Sequence, residues 1–89
     1  IHAQEITKDM AKQFGIAANT GVIVTDVEGG SPADNVGIQT NDVIIQVNKI
    51  KIISLKQYLA EISKAAEKKN VVLLVKRGNV NFFVGLSVE

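Results

Sequence analysis

The 89-residue sequence contains no cysteine and only one histidine, and these two absences exclude several kinds of site. Without cysteine, the chain can form neither a disulfide nor a thiolate metal site. The single histidine, His2, lies at the start of the sequence, and we interpret it as a solvated terminal residue rather than as a member of a nucleophilic triad. One histidine also argues against a structural zinc site. We therefore predict no catalytic residue and no metal ligand in this chain.

Charge and hydropathy exclude two further classes. Ten basic and nine acidic residues leave a formal net charge of +1, and the basic residues are not interleaved with aromatics, so we expect no nucleic-acid partner. No apolar run approaches the length of a membrane span and no signal peptide is recognisable, so we expect no membrane span in this fragment. The sequence opens on isoleucine rather than methionine. We expect one domain over residues 1–89, excised from a longer protein.

The densest local pattern lies between Gly30 and Gly37. Ser31 is a good helix N-cap, and Pro32 suits the first helical position, where its missing N–H is not needed. The carboxylate of Asp34 can reach back to the cap, and Gly37 can adopt the left-handed conformation that ends a short helix. The pattern predicts a capped single turn of helix that leads into a buried strand.

Apolar spacing and capping residues predict the remaining elements. A helix from 55 to 68 begins at a capping box formed by Ser54 and Gln57, and a shorter helix lies between Thr7 and Gly15. Strands are predicted over 1–5, 21–28, 43–47, 51–53, 71–76 and 81–88, with 43–47 as a central strand. The expected fold is a small α+β fold, in which a partly closed antiparallel sheet of five or six strands is capped by two helices.

Other groups that could carry chemistry have simpler explanations. The Gly29-Gly30 pair lacks the lysine and the spacing of a phosphate-binding loop. Carboxylates at Asp26, Glu28, Asp34 and Asp42 are scattered around predicted turns, where capping and solvation account for them. We conclude that this fragment carries no enzyme.

Several segments resemble the PDZ domains of HtrA/Deg-type serine proteases. They are Gly21-Val-Ile-Val-Thr-Asp-Val-Glu, Gly30-Ser-Pro-Ala, Gly37-Ile and Asp42-Val-Ile-Ile-Gln-Val-Asn, and the resemblance covers essentially the whole chain. The N-terminal Gln4-Glu5-Ile6-Thr7 favours this bacterial branch. The closing Phe82-Phe-Val-Gly-Leu-Ser-Val-Glu is similar to the second, C-terminal PDZ domain of such proteins. Asn41 and Lys49 depart from the pattern, since each stands where glycine is usual.

The resemblance implies a PDZ-like, partly open antiparallel barrel or sandwich with the permuted strand arrangement of the proteases. It also implies a function, which is the binding of C-terminal or extended peptides as an added strand at a sheet edge beside a helix. Ile1 matches the last residue of a carboxylate-binding loop. The implied peptide-binding residues are Ile1, His2, Ala3 and Gln4 on the edge strand and Leu55, Leu59 and Ile62 on the helix.

The residue pattern alone leaves the helix stripe open to a second reading. Leu55, Leu59 and Ile62 also form the apolar face that any sheet-packing helix needs, and we expect Ile62 and Tyr58 to serve the core. The stretch from Gly30 to Ile38 is expected on the far side of the fold from the binding residues.

The resemblance further implies a bacterial serine endopeptidase as the parent protein, with a trypsin-like catalytic domain upstream, in the periplasm or cell envelope. The implied partners are peptides or unfolded-protein C-termini, the upstream protease domain and neighbouring protomers, and no cofactor is implied. Two alternatives stay open. The domain could serve oligomer assembly, with Phe83 as an interface residue unless that ring covers the sheet, or it could belong to a non-proteolytic scaffold or secretion protein.

Overall fold

The structure, a computed structural model, describes residues 2–16 and 20–87. Ile1 and Val88, which the sequence places in strands, lie outside the described residues. The elements in chain order are β1 (His2–Glu5), α1 (Lys8–Phe14), β2 (Val22–Asp26), α2 (Pro32–Asn35), β3 (Val43–Val47), β4 (Ile50–Lys51), α3 (Leu55–Lys68), β5 (Asn70–Arg77) and β6 (Val80–Ser87).

The six strands form one open antiparallel sheet. The strand order is β1-β2-β3-β5-β6, and the two-residue β4 pairs with β3. Within the described residues, β1 and β6 are therefore the end strands, and β3 is central as the sequence predicts. The α+β fold with an antiparallel sheet of five or six strands is confirmed, and the sheet does not close into a barrel.

The main core lies on one face of the sheet, beneath α2 and α3. Val22, Val24 and Ile44 project into it from β2 and β3, and Leu73 and Val75 project from β5. This alternation follows from the two-residue period of a strand, which sends successive side chains to opposite faces. The core face is continuous from β2 to β6.

The opposite face of the sheet is covered only in part. Ile23 and Val43 pack there against Ile6 and Ala11, which hold α1 over β2 and β3. No such buried cluster continues onto β5 and β6 among the described residues. Phe83 is accordingly 66% exposed on this face.

The predicted helix caps are confirmed with one refinement each. Ser31 Oγ accepts from Asp34 N–H at 3.2 Å, and the Asp34 carboxylate accepts from Gly30 N–H at 2.9 Å, one residue before the cap. Gln57 N–H donates to Ser54 Oγ at 3.1 Å. Its side chain, however, accepts from the N–H of Ile53 rather than from that of Ser54. The Asp34 carboxylate and the Gln57 carboxamide thus each accept a hydrogen bond from the residue before the N-cap. These bonds fix the direction in which the chain enters each helix.

The explanation of Asp42 by capping and solvation is incomplete. Gln39 N–H does donate to Asp42 Oδ2 at 2.9 Å, but the side chain is buried and pairs with Arg77. A buried carboxylate without a cationic partner would be unfavourable, and β5 supplies that partner from a distant part of the sequence. At the two departures from the glycine pattern, Asn41 and Lys49 adopt φ values of 74° and 72°. The turns therefore keep their left-handed form without glycine.

Candidate functional site

The end strand β1 lies next to helix α3, and we call the space between them the groove. β1 pairs with β2 on one side only, and α3 lies beside it. Within the described residues, no strand other than β2 and no loop backbone hydrogen-bonds to β1. The pairing with β2 is interrupted between His2 and Ala3 by a shift of register. One side of β1 therefore presents backbone N–H and C=O groups that an extended peptide could pair with.

A hydrogen bond fixes β1 to the start of α3. The Glu5 carboxylate accepts from Leu55 N–H at 2.8 Å, and these residues are 50 positions apart in sequence. Leu55 is the first residue of α3, where backbone N–H groups lack helical partners and the helix dipole favours a negative charge. The contact sets the spacing between strand and helix at one end of the groove.

The three aliphatic residues of α3 that the sequence assigns to this site form what we call the groove wall: Leu55, Leu59 and Ile62. Leu55 and Ile62 are half-buried against the main core, whereas the Leu59 side chain is 55% exposed. Core packing therefore does not account for Leu59. On β1, Ala3 is half-buried against the core, and His2 and Gln4 are exposed. Ile1 lies outside the described residues.

A cavity of about 300 Å³ opens beside the Ile62 end of the groove wall. Tyr58 and Ile62 line it from α3, Val71 and Leu73 from β5, and Leu86 from β6. Residues 31–33, at the start of α2, complete the lining together with Glu28 and Ser87. The Gly30–Ile38 stretch, which is expected on the far side of the fold, contributes its first helical turn to the cavity that Ile62 also lines.

Tyr58 is a core residue, as predicted, and it also borders the cavity. Its side chain is buried, and burial raises the pKa of Tyr58 because the phenolate would lose solvation. The hydroxyl therefore stays neutral and adds no charge to the lining. Ile62, Val71 and Leu86 make part of the cavity wall apolar, whereas Glu28, Ser31 and Ser87 add polar groups to it.

Two parts of this arrangement have no signal in the sequence. Glu5 was not assigned to the site, because its partner N–H is brought near only when β1 and α3 come together. The contribution of α2 to the cavity cannot be predicted from the sequence, because the capping pattern of a short helix does not depend on which surface the helix packs against. In residues 2–16 and 20–87, no three His, Asp or Glu side chains cluster to hold a metal ion, and no helix is long and apolar enough to cross a bilayer.

The fold and the strand-and-helix groove are those of a PDZ domain, and the chain belongs to the PDZ domain family, whose model matches residues 4–88. A DegP-like periplasmic serine endoprotease of Chlamydia trachomatis is 36% identical over 90 residues, with all of this chain and 18% of the relative covered. A DegP-like protein of Pseudomonas fluorescens is 34% identical, with 97% of this chain and 19% of the relative covered. The chain thus spans about a fifth of the length of these relatives.

Solved structures show the same fold. The HtrA3 PDZ domain bound to a phage-derived ligand (FGRWV) superposes with a TM-score of 0.83 at 24% identity, covering all of this chain and 82% of that one. The HtrA-type protease AlgW with a decapeptide gives a TM-score of 0.81 at 17% identity, covering 98% of this chain and 27% of that one.

Proposed function

We propose that this chain is a non-catalytic peptide-binding module of an HtrA/Deg-type serine protease. It binds C-terminal or extended segments of other proteins by adding them as a strand to β1. The observation that carries the proposal is the open side of β1 beside an aliphatic helix face on which Leu59 stays 55% exposed. Backbone hydrogen bonds would give affinity, and side-chain pockets would give specificity. The peptide ligands of HtrA3 and AlgW support the same reading.

In this proposal, each predicted site residue has a defined role. Residues Ile1 to Gln4 supply the edge that the peptide pairs with, and the groove wall contacts alternate peptide side chains. The cavity beside Ile62 receives one side chain of the peptide, and its lining combines aliphatic side chains and a neutral tyrosine with Glu28 and two serines. Glu5 is a positioning residue, because its carboxylate accepts the hydrogen bond from Leu55 N–H that holds the start of α3 against β1.

The parent protein that fits these observations is a periplasmic or envelope serine endopeptidase, in which this domain recognises substrate for an upstream catalytic domain. The serine protease names of the Chlamydia and Pseudomonas relatives support this proposal. The similarity of the last strand to the second PDZ domain of such proteins supports a C-terminal position.

Peptide titration tests the binding role. Hexapeptides with apolar residues at alternate positions are added to the isotopically labelled chain, once with a free terminal carboxylate and once amidated. We expect amide shifts to concentrate on β1 and α3. Leu59→Lys should weaken binding at least tenfold, because a charge would face the apolar peptide. Phe83→Lys, an equally drastic change at a residue 66% exposed on β6, is the matched control and should bind normally.

Two results would contradict the binding role: shifts that avoid both β1 and α3, or a Leu59→Lys variant with unchanged affinity. Comparison of the two peptide forms then separates the modes of recognition. Equal affinity for both forms indicates an internal extended segment, whereas loss on amidation indicates a C-terminus.

A second candidate function is contact between protomers in the parent assembly. Phe83 favours it, because this residue is 66% exposed on a strand without charged side chains and lies diagonally across from Val72, which is 46% exposed on β5. Removing this domain from the full-length protein and measuring the oligomer size tests that role. An unchanged assembly would contradict it.

A further inference from the structure

Within the described residues, strand β6 is a second open edge, at the opposite end of the sheet from β1. It pairs with β5 over all eight of its residues, from Val80 to Ser87. None of these eight residues is charged and none is proline. Natural edge strands usually carry charges, proline or bulges that prevent pairing with another chain. β6 has a regular register without a bulge and lacks those protective features.

The register identifies which backbone groups of β6 face outward. Arg77 pairs with Val80 across the two-residue turn Gly78-Asn79, so these flanking residues exchange hydrogen bonds with each other. Antiparallel ladders alternate, so the even-numbered residues of β6 bond to β5 and the odd-numbered residues direct their N–H and C=O groups away from it. The outward positions are Asn81, Phe83, Gly85 and Ser87.

An independent observation supports this alternation. Val72, the partner of Gly85, uses both of its backbone groups toward β3: its N–H donates to Asn48 Oδ1 at 2.9 Å, and its C=O accepts from Asn48 N–H at 2.7 Å. Val72 and Gly85 are therefore a pair without mutual hydrogen bonds. Among the described residues, no backbone or side-chain group hydrogen-bonds to the outward positions of β6 from its other side.

We propose that β6 pairs antiparallel with β6 of a second copy of this chain, with Phe83 opposite Gly85 and Asn81 opposite Ser87. A two-fold axis passing at Val84 relates the copies. In this register, all four outward residues of each strand find hydrogen-bonding partners. The proposal rests on the assembly role given above and names its partner and its surface.

Side chains on the outer face fit this register. Gly85 has no side chain. No described atom outside its chain neighbours lies within 4 Å of the point where a Cβ on Gly85 would stand, so the Phe83 ring of the other copy has room there. Val72, 46% exposed and directly across from Gly85 on β5, would contact the same ring. An aromatic ring over a cross-strand glycine is a stabilising arrangement. The pairing therefore buries the exposed phenylalanine of each copy.

The strength of this contact is limited by its size. Two strand edges with one aromatic ring each bury less than the roughly 1,200 Å² of a stable interface, so we expect a weak dimer of the isolated chain. Protomers already held together in a larger assembly would pair more readily, because tethering raises the effective concentration.

Amide hydrogen exchange at increasing protein concentration tests the pairing. We expect the N–H groups of Asn81, Phe83, Gly85 and Ser87 to become protected with concentration, while the even-numbered amides of β6 are protected throughout. Sedimentation equilibrium should show a dimer that Phe83→Lys weakens at least tenfold, since it places lysines on both strands. Leu59→Lys, the control, should dimerise normally. Protection that never depends on concentration would overturn the proposal.

Cysteine pairing tests the register, because the chain has no cysteine of its own. Phe83→Cys and Gly85→Cys chains are mixed and oxidised. We expect the mixed disulfide to exceed either homodimer, and such a mixed pair keeps one native Phe83–Gly85 contact. A dominant Phe83→Cys homodimer would overturn the register. Because Phe83→Lys should still bind peptide, failure of the dimer would leave the peptide-binding role standing.

Discussion

Asp42 and Arg77 form a bidentate ion pair that joins the loop before β3 to the end of β5. Arg77 Nε donates to Asp42 Oδ1 at 2.8 Å, and Arg77 Nη2 donates to Asp42 Oδ2 at 2.6 Å. Arg77 Nη2 also donates to the Gly37 carbonyl at 2.8 Å, and the guanidinium carbon lies 5.0 Å from the centroid of the Phe82 ring. The hydrogen bond with Asp42 raises the pKa of Arg77. The Arg77 guanidinium therefore stays charged throughout the physiological range.

Replacing Arg77 should destabilise the domain strongly. In Arg77→Met, the Asp42 carboxylate, 2% exposed, would keep only the N–H of Gln39 as a partner. Removing one partner of a buried ion pair costs about 3–5 kcal/mol, and we expect the lower end because Arg77 itself is partly exposed. Urea denaturation measures the change. Asp42→Asn with Arg77→Met should recover part of the loss, and a double variant no better than the single one would contradict this explanation.

Gly21 should not tolerate a side chain. Its φ is 78°, and an added Cβ would overlap the carbonyl oxygen of Ile44, next to the point where β2 begins to pair with β3. We expect Gly21→Ala to lower the free energy of unfolding by more than about 2 kcal/mol, from strain and steric overlap together. Gly29→Ala, which meets nothing within 4 Å, is the matched control and should change stability by less than about 1 kcal/mol. Thermal unfolding of both variants measures the change in stability. Equal losses in Gly21→Ala and Gly29→Ala would contradict the predicted steric overlap at Gly21.

Burial of Tyr58 should make stability depend on pH in the alkaline range. The pKa of Tyr58 is raised in the folded chain, so its contribution is fully present below the unfolded pKa of about 10 and is lost as pH rises through the folded pKa. Tyr58 is the single tyrosine, so its ultraviolet absorbance reports the titration directly. The Tyr58→Phe variant separates the contribution of Tyr58 to the pH dependence from the contributions of all other groups. A tyrosine midpoint at or below 10 in the folded chain would contradict the prediction.

Two leucines should respond differently to the same substitution. Leu73 is fully buried, and Leu73→Ala should cost about 2–5 kcal/mol through lost contacts and a cavity. Leu59 is 55% exposed, and Leu59→Ala should change stability by less than about 0.5 kcal/mol. Peptide affinity should fall in Leu59→Ala despite this. Chemical denaturation measures the stability of both variants, and peptide titration of the same samples measures their affinity. A large loss of stability in Leu59→Ala would assign Leu59 to the core.

The groove was only partly predictable. The helical stripe indicated Leu55, Leu59 and Ile62 together, but spacing alone did not distinguish an exposed member from a half-buried one. Their difference in exposure depends on where β1 lies against α3, which no local pattern encodes. Phe83 shows the same limit, because strand alternation placed it on the outer face but could not tell whether a helix covers that face.

The sequence by itself determined the local structure of this protein and its family. Three helices are capped by the side chains of Thr7, Ser31 and Ser54, and each cap accepts a hydrogen bond from the backbone N–H three residues later. Groups that are so near to each other in sequence can meet whatever the rest of the chain does. Only the tertiary structure decided the contacts of Glu5 with Leu55 and of Asp42 with Arg77, which span 50 and 35 residues. Such contacts depend on the order of strands in the sheet. In the part of the chain that the structure describes, that order also leaves β1 and β6 as the open edges of the sheet.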